Sequence, residues 1–254
     1  RKRRSNYRGS VNLMKPIFVP SKNRAFESPL LRELQASQAE YWYVIEPQDK
    51  AKYQPLTDNL LILPENDRGL CYVRNWIDNY CKQNDIDWYW MLDDDVKRFY
   101  KSVNGKNHPE TLTNALSGAE KILSKHMEVI GQASLEYQQF AWSARKKVAW
   151  QSYCDVVVLN KSTLPISFRS EFELKVDRDY TLQVQSLGYQ TARVTKYSFA
   201  APKIGSNSGG LNEVYADDSR IRKEVNKMCE LWPGICFPKV KNSGMMDVKI
   251  NWLK

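Results

Sequence analysis

Short continuous apolar runs alternate with amphipathic segments along the first part of the chain. A run of roughly four to eight apolar residues is typical of a strand that is buried on both faces of a sheet. Such runs predict strands at 15–20, 41–47, 59–64 and 88–92. Helices are predicted between them, one from Ser28, which is followed by Pro29, and one opened by Gly69. This alternation predicts an α/β fold with a mostly parallel central sheet and helices on both of its faces.

The pattern is less regular in the rest of the chain. Residues 97–108 are predicted to form a loop around Gly105 and residues 109–130 a helix, whereas 132–144 fits neither period. Later strands are predicted at 149–159, 191–199 and 248–252, and later helices end at Gly188 or span 217–231. No internal repeat or low-complexity linker divides the sequence, so a single domain is predicted.

Polar side chains follow three of the predicted strands at the points where those strands end. Ser21 and Arg24 come after the first strand, Glu46 ends the second, and three consecutive aspartates follow the fourth. Because the carboxyl ends of parallel strands meet at one edge of a sheet, we expect these side chains to converge on a single ligand.

The acidic triplet, Asp93-Asp94-Asp95, places three carboxylates side by side directly after a buried strand. Adjacent carboxylates repel one another, so the cluster needs a nearby cation, and Mg²⁺ or Mn²⁺ is commonly shared between carboxylates and a phosphate. The triplet therefore predicts a metal–diphosphate site. Arg74 and Asn75 lie early in a predicted helix, near an end that favours anions. The alternative is a solvated acidic turn in which Asp94 or Asp95 caps a following helix.

Lysine and arginine outnumber aspartate and glutamate by 38 to 29, which gives a net charge of +9 and a pI near 9.2. That excess favours a polyanionic partner such as nucleic acid. Part of it belongs to a predicted flexible basic arm, residues 1–14, ahead of a domain at 15–254. No apolar run is long enough to cross a membrane, and the five cysteines show no CxxC spacing, so a soluble intracellular protein without a membrane partner is expected.

Several polar motifs follow one another over residues 15–211. They are Pro20-Ser21-x-x-Arg24, Glu46-Pro47, Gly69-x-x-x-x-Arg74-Asn75, Leu92-Asp93-Asp94-Asp95 and Asp177-Arg178-Asp179-Tyr180-x-x-Gln183. This ordered set resembles the GT-A type glycosyltransferases, whose DxD motif the triplet matches and whose later acidic motif precedes a helix. Within that fold, the chain resembles the phage DNA glycosyltransferases associated with TET/JBP dioxygenases, which attach sugars to 5-hydroxymethylcytosine.

The resemblance implies how the chain would hold a nucleotide-sugar donor, for which a UDP-sugar is expected. The residues implied to contact the donor are Pro20, Ser21, Arg24, Glu46, Arg74, Asn75, Asp93, Asp94, Lys203, Gly209 and Gly210. The first four would lie at the base or ribose and Arg74 at the diphosphate. The two glycines belong to a loop that either covers the donor or is a plain loop.

The resemblance also implies a metal and a base. Asp93 and Asp95 would hold Mn²⁺ or Mg²⁺, which bridges the diphosphate and stabilises its leaving charge. Asp177 or Asp179 would be the general base that takes the proton of the acceptor hydroxyl, if the enzyme inverts the anomeric configuration. A retaining enzyme needs no such base. The alternative for this pair is to cap the next helix and to pair with Arg178.

Two departures from the family pattern concern the base and the metal. The residue before the candidate base is Val176, where this motif often has another acidic side chain. No histidine follows His126, although the third metal ligand is frequently a late histidine. Water, Asp217 or Asp218 would then take that place. Neutralisation of the diphosphate by Arg74 and Lys203, without a metal, is the other possibility.

The leading hypothesis is a metal-dependent glycosyltransferase that moves a hexose or pentose from a nucleotide sugar to a hydroxymethylated base in DNA. It would reach that hydroxyl in the major groove or after flipping the base. Three alternatives stay open: the same chemistry on a protein or glycan, a non-catalytic nucleic-acid-binding module, and a metal-dependent nucleotidyltransferase. The protein would act in the host cytoplasm if it is phage-encoded, and in the nucleus if it is eukaryotic.

Overall fold

The computed structural model describes residues 14–141, 146–202, 217–241 and 244–253, so only Met14 of the predicted basic arm is included. The strands are β1 (Ile17–Ser21), β2 (Tyr41–Ile45), β3 (Leu60–Ile62), β4 (Trp88–Leu92), β5 (Arg98–Val103), β6 (Lys106–Glu110), β7 (Ile130–Tyr137), β8 (Val148–Trp150), β9 (Val157–Lys161), β10 (Gln190–Ala200), β11 (Cys236–Val240) and β12 (Met246–Ile250). The α-helices are α1 (Pro29–Ala36), α2 (Lys50–Tyr53), α3 (Leu70–Gln83), α4 (Leu112–Leu123), α5 (Gln138–Ala141), α6 (Val176–Ser186) and α7 (Asp218–Leu231). Among these helices, none is both long and apolar enough to cross a membrane.

One large sheet has the strand order β3-β2-β1-β4-β9-β7-β10-β5-β6, and β8 pairs separately with β10. The strands β3, β2, β1 and β4 are parallel to one another. In the rest of the sheet, β9 is antiparallel to both β4 and β7, and β5 is antiparallel to both β10 and β6, whereas β7 and β10 pair in parallel. The predicted single-domain α/β fold is confirmed, with a sheet of mixed strand direction.

Alternate residues of the central strands are buried on opposite faces of the sheet. Ile17 and Trp90 pack with α1 and α4 on one face. Phe18, Tyr89 and Met91 pack with α3 and α6 on the other face. Because a strand that is covered on both faces needs an apolar side chain at every position, these strands appear in the sequence as continuous apolar runs.

After the acidic triplet, the structure differs from the prediction. Residues 97–108, predicted as a loop, contain most of the hairpin β5–β6, in which Asn104 and Gly105 have φ values of 50° and 73°. Two positive φ values define the hairpin turn that prefers Asn-Gly, so the sequence does contain a signal for this hairpin. Since a strand follows the triplet, the interpretation of Asp94 or Asp95 as a helix cap is wrong.

Three further elements were predicted with the wrong bounds. The helix expected over 109–130 is shorter at both ends, since residues 109 and 110 belong to β6 and α4 spans Leu112–Leu123. Strand β7 begins at Ile130 and continues into 132–144, the stretch that fitted neither period. The strand expected over 149–159 is divided into β8 and β9, with Val156 between them at a φ of 62°. A positive φ is rare for a β-branched residue and breaks the extended backbone. The final strand, expected at 248–252, is β12, and its partner β11 was not predicted.

The helix α7 and the hairpin β11–β12, here called the C-terminal unit, pack against the segment that leads into α6. Glu224 of α7 accepts hydrogen bonds from the backbone N–H groups of Glu173 at 3.0 Å and Leu174 at 2.9 Å. Asp247 of β12 lies 2.5 Å from the Lys175 ammonium group. The C-terminal unit therefore fixes the start of α6.

Candidate functional site

The acidic triplet contacts residues at and just after the end of β1. Ser21 Oγ donates to Asp94 Oδ2, and Arg24 Nη1 lies 2.8 Å from Asp94 Oδ1. The same Arg24 nitrogen lies 3.6 Å from Asp95 Oδ2, and Ser28 Oγ donates to the Asp94 carbonyl oxygen at 2.8 Å. The structure thus brings the polar residues that follow β1 together with the triplet that follows β4. Arg24 neutralises part of the charge of the triplet.

Glu46, the carboxylate that follows β2, is buried and holds two loops together. It accepts hydrogen bonds from Lys22 Nζ at 3.1 Å, from Gln48 Nε2 at 2.5 Å and from the Asp67 N–H at 3.0 Å. Both carboxylate oxygens of Glu46 are therefore bound by protein groups, one of them from Lys22, the residue that directly follows β1. Pro20, also implied at the base or ribose, is a half-buried residue of β1 itself.

Arg74 connects the triplet to the start of α6. This side chain of α3 is buried, its Nη1 donates to Asp177 Oδ1, and its Nη2 lies 3.5 Å from Asp93 Oδ1. Its guanidinium carbon lies 5.5 Å from the centre of the Phe168 ring, within cation–π range. Arg74 Nε is buried and has no hydrogen-bond partner in the described part of the chain. The guanidinium group of Arg74 therefore joins Asp93, which follows β4, to Asp177 of α6.

Asn75, the neighbour of Arg74, holds the backbone on the far side of this contact. Its Nδ2 donates to the Phe168 carbonyl oxygen at 2.7 Å, and its Oδ1 accepts from the Phe168 N–H at 2.8 Å. The amide is thus paired with both backbone groups of one residue. Asn75 thereby positions Phe168 against the guanidinium group, and its contact with the donor stays a prediction.

Four carboxylates, those of Asp93, Asp94, Asp95 and Asp177, lie close together at this edge of the sheet. The side chains of Asp93 and Asp95 remain 35% and 28% exposed, whereas that of Asp94 is only 6% exposed. Removal from water raises the pKa of Asp93 to about 8, with a further rise from Asp177 and the other two aspartates and an opposing effect of Arg74. A divalent cation at this edge would relieve the accumulated charge.

Asp93 and Asp95 fit a metal site that protein and ligand would build together. Within the described ranges, no group of three or more His, Cys, Asp or Glu side chains is arranged to hold a metal ion. Mg²⁺, however, is usually bound through one or two carboxylates, with phosphate oxygens and waters as its other ligands. Asp217, considered as a further ligand, instead caps α7 by accepting from the Ser219 N–H at 2.8 Å, and Asp218 is an exposed residue of α7.

Asp177 and Asp179, the two candidates for the base, have different surroundings at the start of α6. Asp177 is 32% exposed and contacts the buried arginine of the site. Asp179 is 1% exposed and accepts hydrogen bonds from Arg169 Nη1 at 3.0 Å, Trp232 Nε1 at 2.8 Å and Gln183 Nε2 at 2.8 Å. Asp177 therefore lies at the site, whereas Asp179 anchors α6 to the C-terminal unit.

Asp155 is a further carboxylate at this edge, and no sequence motif indicated it. Its Oδ2 accepts from the Tyr137 hydroxyl at 3.2 Å, and its buried Oδ1 has no hydrogen-bond partner among the described residues. The Val157 N–H donates to the Asp155 carbonyl oxygen at 2.7 Å, which closes a tight turn around Val156, and the Val156 carbonyl accepts from the Asp93 N–H at 2.9 Å. Burial and a neighbouring carboxylate raise the pKa of Asp155 to about 7.

Three residues implied to contact the donor, Lys203, Gly209 and Gly210, lie outside the described residues, so their roles stay predictions. The described chain reaches that segment from the end of β10. There, the Ala200 carbonyl accepts from the Lys97 N–H at 2.8 Å, two residues after the triplet. The end of β10 therefore lies beside the residues that directly follow the triplet.

A protein family matches the part of the chain that carries these residues. The family model described as TET-Associated Glycosyltransferase matches residues 15–210 and excludes the C-terminal unit. No curated protein matches the sequence. A CMP:2-keto-3-deoxy-manno-octonic acid synthetase complexed with CTP is similar at 12% identity and a TM-score of 0.41, over 70% of this chain and 88% of its own. A UDP-glucose pyrophosphorylase complexed with UDP-glucose is similar at 8% identity and a TM-score of 0.44, over 75% and 92%.

Proposed function

Because the chain belongs to the TET-associated glycosyltransferase family, we propose that it transfers a sugar to the hydroxyl group of 5-hydroxymethylcytosine in DNA. Membership of the family makes the chain a glycosyltransferase that uses a nucleotide-sugar donor. The acceptor and the roles of individual residues are the proposal. The observation that carries the assignment of residue roles is the double contact of Arg74, which links Asp93 of the triplet to Asp177 of α6.

On the donor side, Ser21 and Arg24 are proposed to lie at the base and ribose, and Arg74 at the diphosphate. A guanidinium group matches the oxygens of a phosphate with parallel hydrogen bonds, and Arg74 is already positioned by two carboxylates. Asp93 and Asp95 are the proposed ligands of Mn²⁺ or Mg²⁺, because both side chains remain partly exposed. When bound, such an ion would stabilise the charge that develops on the leaving diphosphate.

On the acceptor side, Asp177 is the proposed general base of an inverting reaction. Its carboxylate would take the proton of the acceptor hydroxyl while that oxygen bonds to the anomeric carbon and the bond to the diphosphate oxygen breaks. Arg74 orients the carboxylate and also contacts Asp93, so the base is held at a fixed position relative to the donor side. Asp179 does not compete for this role, since three protein groups already engage it.

A DNA acceptor is supported by the charge of the chain and by the TET association of its family. A net charge of +9 favours a polyanion over a neutral glycan. The C5 substituent of a pyrimidine faces the major groove, so a hydroxymethyl group at that position can be reached there or after base flipping.

The test is to incubate the protein with duplex DNA that contains 5-hydroxymethylcytosine and with a panel of nucleotide sugars and Mn²⁺. Mass spectrometry of the DNA is expected to show the added mass of a sugar with a UDP-sugar and no change on unmodified cytosine. Asp95→Ala is expected to abolish transfer, while binding of the DNA is unchanged.

Two results would contradict the proposal in different ways. If donors raise the thermal stability of the protein but the DNA gains no mass with any of them, the acceptor is wrong, and a protein or glycan acceptor is indicated. If no nucleotide sugar changes the thermal stability, with or without Mn²⁺, the assigned donor residues are wrong.

A further inference from the structure

The hairpin β5–β6 begins directly after the acidic triplet and forms the edge of the sheet. Val96 and Lys97 alone separate Asp95 from β5. The last strand in the sheet order is β6, paired with β5 from Phe99↔Glu110 at its base. With six residues at about 3.4 Å each, β5 extends about 20 Å away from the triplet.

The charges of this segment, residues 97–110, are almost all positive, and we call it the basic hairpin. Lys97, Arg98 and Lys106 are exposed and Lys101 is half-buried. In the described ranges, no carboxylate lies within ion-pairing distance of any of the four. The single acidic residue, Glu110, accepts hydrogen bonds at the start of α4. Among the described residues, no carboxylate therefore neutralises these four cations, which favours binding of an external anion.

Contacts with β10 and with the start of α5 hold the basic hairpin in place. Strand β5 pairs with β10 over four residues. In addition, Lys196 Nζ donates to the Ser102 carbonyl oxygen at 2.6 Å, and Asn107 Nδ2 donates to the Gln138 carbonyl oxygen at 2.9 Å. A partner would thus meet a preformed surface and would not have to order it.

The chemistry of the edge strand argues against a peptide strand as the partner. Pro109 has no N–H to donate, and Lys106 adds a charge to the same strand. Proline and lysine are the residues that prevent edge-to-edge pairing. The available feature is therefore the charge of the basic hairpin and its ribbon shape.

We propose that the basic hairpin docks duplex DNA by lying in its major groove, an inference that rests on the proposed function. Beyond Lys101, β5 no longer pairs with β10, so the end of the hairpin is a two-stranded ribbon. The major groove, about 12 Å wide, admits such a ribbon, and the lysine and arginine side chains nearer the base of the hairpin contact the flanking phosphates. The hydroxymethyl group of the proposed acceptor opens into the same groove. The base of the hairpin lies two residues from the acidic triplet, so a duplex held along the hairpin extends from its turn towards the donor site.

The test compares two triple variants with equal loss of charge. The hairpin variant is Arg98→Gln, Lys101→Gln and Lys106→Gln. The control variant is Arg32→Gln, Lys121→Gln and Lys125→Gln, three exposed residues on or next to α1 and α4. Binding of a hydroxymethylated duplex is measured by fluorescence anisotropy over a range of salt concentrations, and KM is measured separately for DNA and for the donor.

For the hairpin variant, we expect the affinity for duplex DNA to fall about tenfold or more and the slope of log K against log salt to become shallower by about 3. KM for DNA rises accordingly, while KM for the donor and the thermal stability stay unchanged. The control variant keeps the wild-type slope. Equal losses in both variants, or no loss in the hairpin variant, would overturn the inference while leaving the proposed function intact.

A single-stranded oligonucleotide separates groove docking from general attraction to phosphates. We expect the hairpin variant to lose more affinity for the duplex than for the single strand, because the single strand has no groove. Equal losses on the two substrates would contradict the groove. If the wild-type protein binds no duplex and modifies no DNA, the proposed function fails as well, which is a different result from a failure of the hairpin variant alone.

Discussion

Two acidic stretches, Asp93-Asp94-Asp95 and Asp177-Arg178-Asp179, each bury one carboxylate and leave the others partly exposed. At the end of β4, Asp94 is buried while Asp93 and Asp95 remain partly exposed. At the start of α6, Asp179 is buried while Asp177 remains partly exposed. In each stretch, the protein engages one carboxylate fully and leaves the others accessible to a ligand. Exposure and partners, rather than position in the motif, separate the carboxylates that hold the structure together from those proposed to act on a ligand.

The two buried carboxylates differ in the origin of their partners. Asp94 is bound by Ser21 and Arg24, which lie at the donor side of the same sheet edge. Asp179 is bound by Arg169 and by Trp232, the residue that directly follows α7. Loss of Asp94 should therefore disturb both the donor side and the stability of the protein, whereas loss of Asp179 should act through the position of α6.

The largest expected effect distinguishes the two aspartates of α6. Asp177→Asn removes the proposed base and should lower kcat roughly 10²–10⁴-fold. It should cost less stability than Asp179→Asn, because the buried Arg74 keeps its contact with Asp93. Asp179→Asn removes the buried charge that pairs with Arg169 and should lower the free energy of unfolding by about 3 kcal/mol. Steady-state kinetics and urea denaturation of both variants measure the two effects.

The ratio of kcat loss to stability loss decides this comparison. Asp177→Glu serves as a conservative control, because it keeps a carboxylate and should retain more activity than Asp177→Asn. If Asp177→Asn keeps wild-type kcat, the reaction does not use this base, as expected of a retaining enzyme. If Asp179→Asn loses kcat without loss of stability, the assignment of the two residues is reversed.

The donor side of this comparison could be predicted from the sequence. The strands β1, β2 and β4 are continuous apolar runs, and each is followed by polar residues. Parallel strands that are joined by helices must end at one edge, so the contact of Ser21 and Arg24 with the triplet follows from local patterns alone.

The acceptor side depends on contacts that local patterns do not show. Asp155 reaches the triplet because β9 runs antiparallel to β4, and the direction of a strand is not visible in its apolar run. The orientation of Asp179 depends on Trp232, which lies 53 residues further along the chain. The hairpin β5–β6 had a turn signal in Asn104-Gly105, but the charges around it concealed the strands.

A smaller effect is expected for the buried carboxylate of the triplet. Asp94→Asn weakens a charge-assisted contact with Arg24 and the hydrogen bond from Ser21, so the free energy of unfolding should fall by about 1–3 kcal/mol. The displaced Arg24 should also raise KM for the donor. Asp58→Asn, at an exposed carboxylate, is the control and should change stability by less than about 0.5 kcal/mol. Equal stability in the two variants would show that Asp94 is not held as described.

The smallest expected effect concerns the dependence of stability on pH. Asp155 faces Asp177 and Arg178 of α6, Tyr137 of β7 and Arg193 of β10, and burial raises its pKa to about 7 from the ordinary value of 3.8. Between about pH 4 and pH 7, the folded protein keeps a proton that the unfolded chain has released. The contribution of this group to stability is therefore complete below pH 4 and is lost as the pH rises towards 7.

Asp155→Asn removes this titration, so the variant should gain stability relative to wild type as the pH rises. We expect the difference in free energy of unfolding to be about 1–2 kcal/mol more favourable to the variant at pH 8 than at pH 5. Urea denaturation at both pH values, with a chelator present to remove divalent ions, measures it. Asp58→Asn should show no such change between the two pH values. If the stability gained by Asp155→Asn is equal at the two pH values, or larger at pH 5, then Asp155 is ionised in the folded protein at low pH. Groups other than Tyr137 and Arg193 would then compensate its buried oxygen.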